Sequence, residues 1–160
     1  MKRISARLRH LALAIALPLA AGGIALYKHD RVGVAQLLVE TTLTVGTVYA
    51  LKSIVREQRP NGMDFRSFPS ETTALSASGS SFLWHRYGWE YGLPAMALTQ
   101  FVSYSRIQAH QHRWYDTLAS SGIAIGSGCG RQAPHQSAPP TTMAFVGSWA
   151  NRPMMYGSGC

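Results

Sequence analysis

Acidic residues are scarce in this chain: Asp and Glu together number 7 against 15 Lys and Arg, leaving a net charge of +8 over 160 residues. That balance admits nucleic acid, an anionic membrane surface or a phosphorylated substrate as partner. Long runs of like charge are also missing. The cations stand in ones and twos, with no basic stripe interleaved by aromatics, which argues against nucleic acid. Cysteine is limited to Cys129 and Cys160, so there is no disulfide framework, and no Cys-x-x-Cys pair offers a metal site. One bridge between the two cysteines stays open in an oxidising compartment. No internal repeat is present. The length suits one domain with a real core and is too short for two ordinary ones.

Apolar segments, by contrast, are plentiful. Lys2, Arg3, Arg7 and Arg9 precede an uncharged apolar run from Leu11 to Tyr27, interrupted by Pro18 and Gly22-Gly23. Such a start fits a signal peptide, a signal anchor or a first core helix. The run is shorter than the ~20 residues that cross a bilayer. Residues 1–30 are therefore set apart as a basic apolar segment, 31–128 as the helical domain and 129–160 as a loop and tail. Val32 to Leu51 holds one carboxylate, Glu40, and reads as a span or as a buried helix ending at Lys52. Residues 60–72 read as a loop, Thr72 to Trp84 as a closely packed helix, and Leu93 to Tyr104 as a helix opened by Pro94 near its first turn. A last helix is expected from about His112 to Ile125, ended by Gly126–Gly130. Thr142 to Trp149 and Met154 to Tyr156 could pair as a short hairpin, against which Pro153 counts. The order implies an all-α helical bundle.

Several polar residues have spacings that suit one site. Lys52 and Arg59 are seven residues apart, two turns of helix, with Pro60 expected to stop the helix and leave Arg59 facing a cleft. Alone, this is a basic helix end at a membrane or solvent boundary. Ser70 sits in a Pro-Ser turn before a helix, where a hydroxyl and free N–H groups can hold an anion, or where serine simply caps. His112 and Asp116 are one helical turn apart, so the carboxylate can accept from the imidazole, fix its tautomer and leave the other nitrogen free to attack phosphorus. Arg106 is off that face and needs a bend before His112 to converge.

Taken in order, Lys52-Ser-Ile-Val-Arg-Glu-Gln-Arg59-Pro60, Ser67-Phe-Pro-Ser70-Glu-Thr-Thr73, and Ser105-Arg106 with His112 and Asp116 resemble the three signature motifs of the phosphatidic-acid phosphatase type 2 superfamily. That superfamily also contains bacterial acid phosphatases and vanadium haloperoxidases. The likeness spans about residues 45 to 125. It implies a helical bundle of that type, with Lys52, Arg59, Ser70 and Arg106 on a phosphate, His112 as nucleophile and Asp116 orienting it. It also implies a phosphohistidine intermediate with neither metal nor cofactor. The implied partners are a phosphorylated lipid or small phosphoester and inorganic phosphate, with membrane association, in the inner membrane or periplasm of a bacterium.

Two positions depart from the pattern, and one of them bears on the chemistry. Where the second motif usually reads Pro-Ser-Gly-His, this chain reads Pro69-Ser70-Glu71-Thr72. In the family that histidine protonates the leaving alkoxide, which threonine cannot do near neutral pH. Glu71 would be ionised beside the cations, a poor acid that repels phosphate unless it points away or pairs with one of them. His110 and His85 are the other conceivable donors, although His110 reads as structural or solvent-exposed. The readings are a phosphoric monoester hydrolase, weak or specialised for want of the acid, or an impaired binder of phosphate or a phospholipid headgroup. A vanadate-dependent peroxidase is disfavoured by the missing histidine and the short chain.

Overall fold

The computed structural model describes residues 2–60, 62, 65 and 67–129, which form five helices. These are α1 (Lys2–Tyr27), α2 (Arg31–Ile54), α3 (Glu71–Tyr87), α4 (Trp89–Gln108) and α5 (Trp114–Gly128). No strand occurs among the described residues, so the all-α expectation holds. The expected C-terminal hairpin, with Cys160, lies outside them.

α3 is the axis of the bundle and touches each of the other four helices. Its sequence explains this position. Ala74, Ser76, Ala77, Ser78, Gly79, Ser80 and Ser81 are all buried, and side chains this small let neighbouring backbones approach closely. At Gly79 the approach is closest: a Cβ there would stand 2.7 Å from Leu17 C and Pro18 N of α1. Ala14, Leu17, Ala21 and Ala25, repeating every three or four residues, form the buried face of α1. The apolar core joins Leu17, Ala21, Ala25, Leu37, Phe82, Leu83 and Ala95.

Polarity is inverted relative to a water-soluble bundle. Leu19, Leu26, Val32, Leu38, Leu93, Leu98, Phe101 and Leu118 are exposed, whereas Ser70, Thr73, Ser76, Thr99, Ser103, Thr117 and Ser120 are buried. Inside, most of these hydroxyls bond to backbone carbonyls and to one another, as Thr99 Oγ1 does with Ser76 O (3.2 Å) and Ser80 Oγ (3.1 Å), while Ser76 Oγ has no partner among the described residues. Among the described helices, α2 is long and apolar enough to cross a membrane, while the apolar part of α1, Ala14–Tyr27, is shorter.

The chain leaves α1 and enters α2 through a clasp at one end of the bundle. Asp30 caps α2 by accepting from Gly33 N (2.8 Å) and receives a two-pronged bond from Arg86 of α3 (2.8 and 2.7 Å). Bonding to Arg86 holds the Asp30 carboxyl well below the usual carboxylate range. At the same corner, Tyr87 packs edge-on against Phe82 and tilts on Tyr91, while Trp84 and Trp89 stay exposed.

Two helix starts differ from expectation. α4 begins at Trp89, so Pro94 lies inside it rather than opening it. The break that opens it is Gly88, whose φ of +90° is a conformation side-chain-bearing residues rarely adopt. α5 begins at Trp114, two residues after His112, so the histidine precedes the helix that carries Asp116.

Candidate active site

The residues singled out in the sequence gather at the end of the bundle opposite the Asp30–Arg86 clasp. Lys52 stands in the last turn of α2. Ser70 caps α3, Arg106 ends α4 and Asp116 opens α5, with His112 in the connection between the last two.

The expectation of one helix carrying Lys52 and Arg59 on a shared face is not met. α2 stops at Ile54, and the β-branched pair Ile54-Val55 is where it leaves helical geometry, with Val55 N bonding back to Leu51 O (2.7 Å). Long-range bonds hold the segment that follows. Glu57 O accepts from Ser67 N (2.9 Å), and its carboxylate accepts from Arg113 and Tyr115 at the start of α5. Arg59 thus reaches the site from an extended loop. Pro60 acts only on a segment already out of the helix.

Three guanidinium nitrogens of Arg59 and Arg106 are left without partners. Arg59 Nε, Arg106 Nε and Arg106 Nη1 are buried, and none has a hydrogen-bond partner among the described residues. Arg106 Nη2 donates to Thr72 Oγ1 (3.2 Å), so position 72 faces the cation cluster. Lys52 Nζ donates to Glu71 Oε2 (3.3 Å): the carboxylate does pair with a cation. Ser70 is fully buried, and its hydroxyl is engaged in capping, donating to Thr73 Oγ1 (3.1 Å) and accepting from Thr73 N (3.5 Å).

His112 is 4% exposed, and its Nδ1 lies 2.8 Å from Ser67 O. A carbonyl can only accept, so that bond places the proton on Nδ1 and leaves the Nε2 lone pair free. Asp116 Oδ2 is 3.6 Å from Nδ1, beyond hydrogen-bonding distance. The expected direct histidine–aspartate bond is therefore replaced by a relay. Asp116 Oδ2 accepts from Ser67 Oγ (2.7 Å) and Arg113 N (2.9 Å), and Ser67 O holds the imidazole. With His112 off the helix, ring and carboxylate no longer stack along one face. Ser67, fully buried, is the residue that spacing did not reveal. It sits inside the second motif, and its role depends on a partner 49 residues away.

Burial first, then the charge of Arg59 and more weakly that of Arg106, pushes the His112 imidazole down from 6.5 to about 4. Asp116 and the Ser67 carbonyl act in the opposite direction. The free base is thus the resting form at neutral pH. The unfolded chain binds the proton more readily, so the stability contributed by neutral His112 is complete above 6.5 and is lost as pH falls toward 4. An imidazole NMR titration of the anion-free protein is expected to place His112 near 4. A midpoint at the ordinary 6.5 would contradict the described burial.

Neither His85 nor His110 joins the cluster. His85 is in the last turn of α3, at the clasp end, ~21 Å along the helix from Glu71 at 1.5 Å per residue. His110 is exposed on the α4–α5 connection with φ +50°.

No family model matches the chain. It is 31% identical over 121 residues to the lipid A 4'-phosphatase of Helicobacter pylori (strain J99), a match covering 69% of this chain. The chain spans 61% of that relative's length. Among solved structures, the crystal structure of Aquifex aeolicus LpxE superposes with a TM-score of 0.58 at 21% identity, covering 76% of this chain and 83% of that one. That likeness extends to the fold.

Proposed function

We propose that this chain is a phosphatidic-acid phosphatase type 2-like phosphoric monoester hydrolase acting on a phosphorylated lipid. The observation that carries the reading is the set of unpartnered, buried guanidinium nitrogens of Arg59 and Arg106 grouped with a neutral His112. A buried polar group without a partner costs ~1–3 kcal/mol, more when charged, and an oxyanion is the ligand that would satisfy several such donors at once. The similarity to a lipid A 4'-phosphatase supports a phosphorylated lipid as substrate class.

In the proposed mechanism His112 Nε2 attacks phosphorus, the P–O ester bond breaks and the alcohol departs with a proton from solvent. Water then attacks the phosphohistidine, breaking the P–N bond to give inorganic phosphate and free imidazole. Lys52, Arg59 and Arg106 neutralise the equatorial oxygens, so charge stabilisation needs no metal. Asp116 and Ser67 keep the Nδ1 proton in place.

The inverted polarity supports residence in a bilayer. Between Arg31 and Lys52 the only charged residue of α2 is Glu40, which is 2% exposed, and that stretch rises ~30 Å, the thickness of a hydrocarbon core. The pocket would then open at a bacterial membrane surface, where a lipid phosphate lies. Residues 31–128 are read as the phosphatase-like unit. The engagement of Thr72 with Arg106 favours a second reading, a binder of phosphate or a lipid headgroup.

Orthophosphate or vanadate should bind the detergent-solubilised protein, more weakly as salt rises. Arg106→Gln should cost ~1.5–3 kcal/mol of that affinity, the range for a hydrogen bond to a charged group. Calorimetry that finds equal affinity in the two proteins would remove the pocket.

A further inference from the structure

The proposed reaction leaves one charged group at the pocket unused. Glu71 begins α3 directly after Ser70, and its side chain is 38% exposed against 10% for Lys52. Two donors from one turn of α2 hold both its oxygens: Lys52 Nζ on Oε2 at 3.3 Å and Tyr49 OH on Oε1 at 3.0 Å. The α3 N-terminus further favours a negative charge there. The carboxylate is therefore seated at the rim of the cation cluster, on the same ammonium that the proposed reaction gives to the phosphate.

An ammonium has three donors, so Lys52 can serve Glu71 and one incoming anion together. Sharing it brings two anions close, and a phosphate oxygen bonded to Nζ would lie only a few ångströms from the carboxylate. We propose that Glu71 is a specificity-determining residue, an internal anion that lowers the pocket's affinity for free inorganic phosphate. An ester keeps the contacts of its attached group and so tolerates the repulsion. The product has only its charge to hold it, and it leaves. This rests on the phosphate-pocket reading above and adds selectivity to it.

The test titrates orthophosphate, and separately sulfate, into the full chain in detergent micelles, for wild type, Glu71→Gln, Glu71→Gly and Arg106→Gln. Removing one like charge at a half-exposed rim should tighten both anions by on the order of 10-fold in each Glu71 variant. Inhibition of aryl phosphate hydrolysis by inorganic phosphate should strengthen by a similar factor. Unchanged or weakened binding in both Glu71 variants, with Arg106→Gln still losing affinity, would overturn the role of Glu71 while the pocket stands. Absence of anion binding in every protein would overturn the pocket and this proposal with it. Two substitutions of different size, one retaining an amide for Tyr49 and one removing the side chain, separate a charge effect from a packing effect.

Discussion

His112→Ala should abolish hydrolysis of every phosphoester the protein cleaves, by on the order of 10⁴-fold or more, as for other enzymes deprived of their nucleophile. The imidazole contacts Ser67 through a backbone carbonyl, so its loss leaves the Ser67–Asp116 bond and the fold in place. Phosphate affinity should survive, because Arg59 and Arg106 keep their donors and lose none of their exposure to the anion. The check is single-turnover hydrolysis of an aryl phosphate beside a binding titration and a thermal melt. Unchanged turnover would assign the chemistry to other residues, whereas lost binding with an intact melt would make His112 part of the cation cluster.

Restoring the proton donor should have the next largest effect. Thr72 Oγ1 accepts from Arg106 Nη2, so a side chain at this position already faces the cation cluster. A histidine there could reach a departing alkoxide, provided that position 71 gives up its hold on Lys52. Glu71→Gly with Thr72→His is therefore expected to raise alkyl phosphate turnover by 10²–10⁴, the range for a positioned general acid. Aryl phosphates, whose leaving groups need little protonation, should gain far less. Wild type and double variant assayed on one alkyl and one aryl ester give the comparison. Efficient alkyl ester cleavage by wild type would show that another donor exists. Anion binding by both proteins without cleavage of either ester would favour the headgroup-binding reading.

The helices and their order could be read from apolar runs and from Pro and Gly punctuation. Their ends could not, for reasons visible at particular residues. Nothing local marks the end of α2 at Ile54 more strongly than Pro60, five residues beyond the cap. The chain turns early because Glu57 is committed to Ser67, Arg113 and Tyr115, partners that only tertiary structure supplies. The spacing to Asp116 predicts a helical His112, yet its ring is drawn to a carbonyl 45 residues back in sequence. The motif residues do come together at one end of the bundle, since order and spacing survive such shifts. They did not show the bond from Ser67 to Asp116, because serine in a loop carries no distinctive signal. For Glu71, charge alone posed the alternatives of repelling phosphate or pairing with a cation, and geometry showed the partner to be Lys52.

Gly79 has a consequence for where this protein is vulnerable. Its missing side chain is the clearance between α1 and α3, with Leu17 and Pro18 backbone atoms 2.7 Å from where a methyl carbon would sit. Backbone cannot rotate aside as a side chain can, so an alanine there must slide or tilt one helix against the other. The first turn of α3 presents Glu71 and Thr72 to the cations, ~11 Å up the same rod. A single added carbon in the middle of the bundle would thus be delivered as misalignment at its end. Damaging changes in such a protein need not cluster around the chemistry. They would follow the line of tight glycine and serine contacts down the centre, and an otherwise well-folded variant would fall silent without any change to a residue of the cation cluster.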